Sequence, residues 1–289
     1  MAVGHSARDT FEMLAEEGVA MEAKPFSIGV RIEHPQSLID ADQFGPQAGS
    51  EILGAADYKL VHRTEDGRGV YSFCMCPGGT VVAATSEPER VVTNGMSQYS
   101  RAERNANAGI VVELRPGVDY PDDPLAGVAF QRHWESQAFV AGGGDYKAPG
   151  QRVEDFLAGR PSTHLGTVTP SYRPGVTPTS LDSCLPDFVC AAIREALPVF
   201  ASKLSSFALG DAVMTGVETR TSSPLKIPRK DDGESLNTPG LYPAGEGAGY
   251  AGGIMSAAMD GIRVAEALAL ALAGRQANGL LRGKSDSLV

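Results

Sequence analysis

In Gly240-Leu-Tyr-Pro-Ala-Gly-Glu-Gly-Ala-Gly-Tyr-Ala-Gly-Gly-Ile254, a short apolar run enters a glycine-rich turn and leaves it as a helix. The pattern predicts a strand over 240–244, a turn over 245–252 and a long helix beginning near Gly253. The first amides of a helix have no intrahelical acceptor and carry partial positive charge, so they suit an anion or an electron-rich ring edge. Glycines let the backbone approach a flat ligand closely. Glu246, at the end of the strand, is placed to accept hydrogen bonds from hydroxyls. The same residues also fit a plain glycine-rich helix start with no ligand, and spacing alone leaves both readings open. A Gly-x-Gly-x-x-Gly turn followed by an acidic residue on a next strand, the mark of a first βαβ unit, is not expected anywhere in the chain.

Beyond this turn, the helix is expected to bury Ile254, Ala258, Ile262, Ala265 and Leu272, with Ser256, Asp260 and Arg263 on other faces. The N-terminus, Met-Ala-Val-Gly4-His5-Ser6-Ala-Arg-Asp9-Thr, resembles a strand end running into a helix capped by Ser6 and stopped at Gly18. Partner strands for that end are expected from a preceding segment or a second polypeptide, with an apolar sheet edge near Ala2 and Val3. Strands are expected over 26–32, 56–62 and 109–114, and over 70–76 and 80–84 as a hairpin about Pro77-Gly78-Gly79. Helices are expected over 125–140, 152–157 and 185–200, with Pro198 ending or kinking the last. Loops are expected over 142–150 and 161–179, the second long enough to cover a site. A further strand is expected over 212–218 and a polar connection over 225–236.

The 289 residues carry 25 Lys+Arg against 35 Asp+Glu, a formal charge of −10. Such an acidic surface argues against nucleic acid and membrane surfaces as partners. Four cysteines make no disulfide framework, and no segment has the length of a membrane span or signal sequence, so a cytoplasmic location is expected.

On these residues the chain resembles the two-dinucleotide-binding-domain flavoproteins, and within them the bacterial FAD-dependent dehydrogenases. The likeness rests on Gly4-His-Ser-Ala-Arg-Asp9, Gly29-Val-Arg-Ile-Glu-His-Pro35, Tyr71-Ser-Phe-Cys-Met-Cys-Pro-Gly-Gly79, Asn94-Gly-Met-Ser97, Gly216-Val-Glu-Thr-Arg-Thr-Ser-Ser-Pro224 and the 240–261 stretch. The resemblance implies that Gly245, Glu246 and Gly247, with Ala248 and Gly249, contact the flavin ribityl and phosphate. It implies that Gly252, Gly253 and Ile254 start the helix near the pyrimidine edge. Gly4, His5 and Ser6 would leave the FAD domain close to the cofactor, and Arg220, Thr221 and Ser222 would lie near the ring. The N-terminal βαβ fingerprint of that family is not found, so the adenylate half of FAD is expected to come from elsewhere, with NAD(P)H as a candidate electron donor.

Other candidates stand beside these. Cys74 and Cys76 form Cys-x-Cys, open to reading as a redox pair, two metal ligands or, as preferred here, packed thiols. Cys184 and Cys190 are expected to pack on a helix. Asn94, Ser97, Tyr99, Arg101, Asn105 and Asn107, with Arg220, could line a substrate pocket, with Arg101 on an anionic group and Tyr99 as proton donor, or the 94–107 stretch could form a capped surface loop. The five histidines show no catalytic partner.

The expected architecture is mixed α/β (α+β). A partial FAD/NAD(P)-binding domain (1–25 and 208–276) would frame an inserted, mainly antiparallel sheet-plus-helix substrate domain (26–207), followed by a loose tail (277–289). The expected function is an FAD-dependent oxidoreductase acting on a small molecule. The alternative is a non-catalytic subunit of a split flavoprotein acting through partner binding.

Overall fold

The computed structural model describes residues 1–274. In chain order the elements are α1 (Arg8–Glu16), β1 (Glu22–Ala23), β2 (Phe26–Pro35), α2 (Gln36–Phe44), β3 (Val61–Arg63), β4 (Gly69–Ala83), β5 (Thr93–Ser97) and β6 (Asn105–Leu114). There follow α3 (Ala126–Gly142), β7 (Ala148–Arg152), α4 (Val153–Leu157), β8 (Val176–Pro178), α5 (Asp187–Lys203), β9 (Val213–Glu218), β10 (Leu225–Lys226) and α6 (Ile254–Leu272). This is the mixed α+β class expected. No helix among the described residues is long and apolar enough to cross a membrane.

Two compact units result. The first comprises Met1–Phe26, Leu114–Phe130 and the described residues from Arg220 to Gly274; the second comprises Ser27–Glu113 and Gln131–Thr219. The expected boundary at 208 falls before β9, whereas the units divide after it, because β9 is a strand of the second unit's sheet.

That sheet has eight strands in the order β3-β4-β6-β2-β9-β7-β8, with β5 added to β4. Its pairings are antiparallel for β2 with β9, β4 with β5 and with β6, and β7 with β9, while β7 with β8 is parallel. β2 alternates apolar and polar residues, as a half-exposed strand does. Yet nine of its ten positions are buried, Arg31, Glu33 and His34 among them. Ile28, Val30 and Ile32 lie on the apolar face. α5 lies on the sheet with Val189, Ile193, Leu197 and Phe200 buried, each contributing about 1.5–3 kcal/mol. The helix continues past Pro198 instead of ending there.

The expected hairpin about Pro77-Gly78-Gly79 is replaced by one continuous strand, β4. Two irregularities, between Phe73 and Cys76 and between Cys76 and Gly79, insert residues against β6 without reversing the chain. Gly78 supplies the turn-like backbone (φ 45°), and its N–H donates to Gln36 Oε1 at 2.6 Å, so the turn signal is consumed inside a strand. The strand expected over 56–62 shortens to β3, although Ala56, Tyr58 and Leu60 still alternate inward. The loop expected over 142–150 contains the start of β7.

In the first unit Phe11, Leu14, Val19, Val128, Leu225 and Ile227 form the core, with β1 paired to β10. Ser6 does not cap α1, which starts behind Ala7 with no side-chain cap; its hydroxyl instead accepts from Arg220. Gly18 (φ 73°) does end α1. The 240–244 stretch forms no strand, but Met1 N donates to Tyr242 O at 2.7 Å and Ala244 N to Met1 O at 2.8 Å.

Candidate functional site

The first unit brings both chain ends of the predicted cofactor turn together. A Cβ on Gly247 would lie 2.3 Å from Gly4 O, so only glycine allows this approach. His5 Nδ1 lies 3.2 Å from Glu246 Oε1 without hydrogen-bond alignment, and both side chains are partly exposed. Arg220 Nη1 reaches Ser6 Oγ at 3.1 Å. Gly245 (φ 77°) and Gly249 (φ 84°) shape the turn.

Arg229 and Asp260 hold the turn in place. Gly245 N donates to Asp260 Oδ2 at 2.7 Å, and Arg229 Nη1 donates to the same oxygen at 3.0 Å and to Pro243 O at 2.8 Å. The Arg229 guanidinium also sits 3.7 Å from the Tyr250 ring centroid. Asp260 is thus a buried anchor, which reverses the expected orientation of α6. Asp260, Val264 and Ala267 face inward, while Ile254, Ile262 and Leu272 are 90%, 69% and 82% exposed. Burial lowers the Lys24 amine, and the Glu246 carboxylate nearby acts the other way.

Gly252 has open space where a side chain would stand, and a Cβ on Gly253 would meet only Ser256 Oγ, at 4.0 Å. That opening, the half-exposed Glu246 carboxylate and the first amides of α6 fit the ribityl and ring side of a flavin. Gly247-Ala-Gly249-Tyr-Ala-Gly252 does have the Gly-x-Gly-x-x-Gly order by letter, which corrects the expectation that no such order is present. No strand leads into it, α6 begins two residues after its last glycine, and no strand follows α6 among the described residues. It is therefore no first βαβ unit.

The second unit holds a cluster that the sequence did not reveal. Arg31 is fully buried and all five of its N–H donors are used. Nε bonds Glu218 Oε2, and Nη2 bonds Glu218 Oε1 at 2.8 Å and Asn94 Oδ1 at 3.1 Å. Nη1 bonds Cys74 O at 2.7 Å and Asn107 Oδ1 at 3.1 Å. Burial pushes the Glu218 carboxyl up while Arg31 counters it; burial alone would lower Arg31, but Glu218 keeps it charged. Gly95 makes room, since a Cβ there would lie 2.4 Å from Arg31 Nη1 and from Asn107 Oδ1.

Of the predicted pocket residues, Asn94 and Asn107 join this cluster, while Asn105 Nδ2 donates to Glu33 Oε1 at 2.9 Å. Ser97 Oγ donates to Pro77 O at 2.8 Å within the sheet edge, Tyr99 is fully exposed, and Arg101 lies in the exposed loop after β5 with φ 48°. The expectation of packed thiols holds for Cys76, Cys184 and Cys190, all buried, though Cys184 precedes α5 and only Cys190 lies on it. It fails for Cys74, which is exposed with φ 44° at the first irregularity of β4. No group of His, Cys, Asp and Glu among the described residues could hold a metal ion.

Sheet, helices and glycine turn together make an α+β protein. Residues 25–221 match the family model described as FAD-dependent protein, C-terminal domain-like, and the chain belongs to that family. It is also 55% identical over 267 residues to an uncharacterized protein of Clostridium beijerinckii, covering 92% of this chain and 50% of that protein. The chain thus spans about half the length of the relative it matches.

Proposed function

We propose that this chain forms the substrate-domain and C-terminal part of an FAD-dependent oxidoreductase acting on a small molecule in the cytoplasm, with NAD(P)H as the candidate electron donor. The observation that carries the reading is the meeting of Gly4 with Gly247 and of His5 with Glu246, ahead of the open start of α6. Bound FAD would supply the hydride chemistry. In this reading Gly245, Glu246, Gly247, Ala248 and Gly249 hold the ribityl and phosphate, Glu246 accepts from ribityl hydroxyls, and Gly4, His5 and Ser6 lie close to the cofactor. Gly252, Gly253 and Ile254 present the α6 amides to the ring edge, and Arg220 fixes the approaching N-terminal stretch through Ser6. The family match supports the cofactor.

A second reading has its own support. Ile254, Met255, Met259, Ile262 and Leu272 leave α6 with an exposed apolar stripe. A separate FAD-binding polypeptide carrying the adenylate half would cover that stripe, with this chain as a non-catalytic subunit. One experiment tests both. FAD is added to the purified chain, alone and with the remaining half of the clostridial relative supplied as a second polypeptide. Visible flavin absorbance is then read after gel filtration. Retained flavin that NAD(P)H bleaches supports the oxidoreductase reading. Association of the two polypeptides without flavin supports the subunit reading, and neither retention nor association refutes both.

A further inference from the structure

Cys74 sits where a strand would normally keep two thiols apart. Residues two apart on a straight strand lie about 6.6 Å from each other, too far for a disulfide, whose Cβ atoms are about 3.8 Å apart. Between Phe73 and Cys76, β4 carries one residue more than β6 opposite it, and Cys74 adopts the left-handed backbone there. A non-glycine residue in that region is held against its preference, and such outliers gather at working sites. Arg31 holds it by bonding the Cys74 carbonyl. The Cys76 thiol turns back on the same carbonyl at 3.3 Å, which brings it round toward the Cys74 side of the bulge. Cys74 faces solvent and Cys76 is buried behind it. Asn107, opposite Cys76 in the β4–β6 register, is fully buried, and its Nδ2 has no hydrogen-bond partner among the described residues.

We propose that Cys74 and Cys76 form a two-electron dithiol/disulfide centre that exchanges with low-molecular-weight disulfides, Cys74 attacking and Cys76 resolving. The Cys74 thiolate attacks one sulfur of RS–SR, the S–S bond breaks, and RS⁻ leaves to take a proton from water. Cys76 loses its proton to solvent and attacks Cys74 Sγ. The mixed disulfide breaks, and a second RS⁻ leaves and is protonated. Two protein thiols are oxidised and one RSSR is reduced to two RSH; a small dithiol reverses the sequence. The hydrogen bond from Cys76 brings the Cys74 thiol down to about 5, burial opposes this, and the Arg31 charge adds to the lowering. Sharing that proton pushes Cys76 up, as does its burial. Asn107, paired with Cys76 in the β4–β6 register, keeps a buried Nδ2 without a partner among the described residues on the neighbouring strand. Arg31 has no donor left to stabilise a departing hydroxide or alkoxide, so the electrophile must expel a group stable as a free anion, as a disulfide expels a thiolate.

The test uses the full chain and hydroxyethyl disulfide, with denaturing alkylation and peptide mass mapping. The wild type is expected to lose two of its four alkylatable thiols, joined as Cys74–Cys76, with no adduct. Cys76→Ser is expected to stop as a single hydroxyethylthio adduct on Cys74, and Cys74→Ser to stay unmodified. A stable adduct on wild-type Cys74, or four thiols left intact, overturns the proposal. Native iodoacetamide labelling at pH 6 gives a second readout that needs no variant. With about 300-fold more thiolate than an ordinary cysteine but lower intrinsic nucleophilicity, Cys74 should react roughly tenfold faster. An ordinary rate overturns its role as attacking thiol. No flavin is added, so failure here is separable from failure of the flavin reading.

Discussion

Replacing Glu218 by Gln isolates what the buried Arg31 cluster contributes. The two side chains are 0% and 1% exposed, and Glu218 accepts two of the five bonds that Arg31 donates. Gln keeps the volume and one acceptor oxygen, but turns an N–H₂ toward a guanidinium that has only donors. Arg31 remains charged and buried, with Asn94, Asn107 and the Cys74 carbonyl as its neutral partners. Removing one partner of a buried pair costs about 3–5 kcal/mol, because the other charge loses its compensation. At about 2–4 °C per kcal/mol for a domain of this size, Tm should fall by about 6–20 °C. The assay is thermal unfolding by circular dichroism, backed by a urea titration in which the midpoint drops at constant slope. A loss under about 1 kcal/mol, as for an exposed pair, would refute the reasoning. The double variant Arg31→Met/Glu218→Leu provides the control and should lose less than Glu218→Gln, since no unpaired charge remains.

Three further outcomes are expected. Gly95→Ala should destabilise the second unit by about 1–3 kcal/mol, because the added carbon overlaps the Arg31 guanidinium; a neutral result in a urea titration would contradict the packing. For Asp155, burial would raise the carboxyl, but Ser162, Arg160 and Arg152 more than offset it and the group lies below its usual value. Its stabilisation is therefore present above the ordinary carboxylate value of about 3.9 and is lost as pH falls through the folded value, so Asp155→Asn should flatten the acid limb of a pH–stability curve. Gly247→Ala should push Gly4 away from the turn, exposing the N-terminal stretch to faster amide hydrogen exchange, while unchanged exchange at residues 2–6 would refute the close approach.

Several features were legible because they are local. The glycine turn, the start of α6, the stop at Gly18 and most strands follow from backbone preference and hydrophobic period, which neighbouring residues set. The chain's likeness to FAD-dependent proteins was visible in its motifs, and the family match bears it out. Pro77-Gly78-Gly79 was misread for a physical reason: the same glycine freedom serves a hairpin or a bulge, and only the pairing of β5 and β6 on both sides of it selects the strand. The outward face of α6 was misread because its period shows two apolar stripes, and the Arg229–Asp260 pair fixes which one turns in.

What the sequence determined by itself is the class of the fold, the glycine turn and the alternation of Ser27, Gly29, Arg31 and Glu33 with apolar residues along β2. Alternation says that one face is polar but not that it is covered, since covering depends on distant strands. Only the tertiary structure brought Glu218 from β9, Asn107 from β6, Asn94 from β5 and the bent Cys74 from β4 around Arg31. A buried charge survives only where every donor finds a partner, and those partners come from strands up to 187 residues away in sequence.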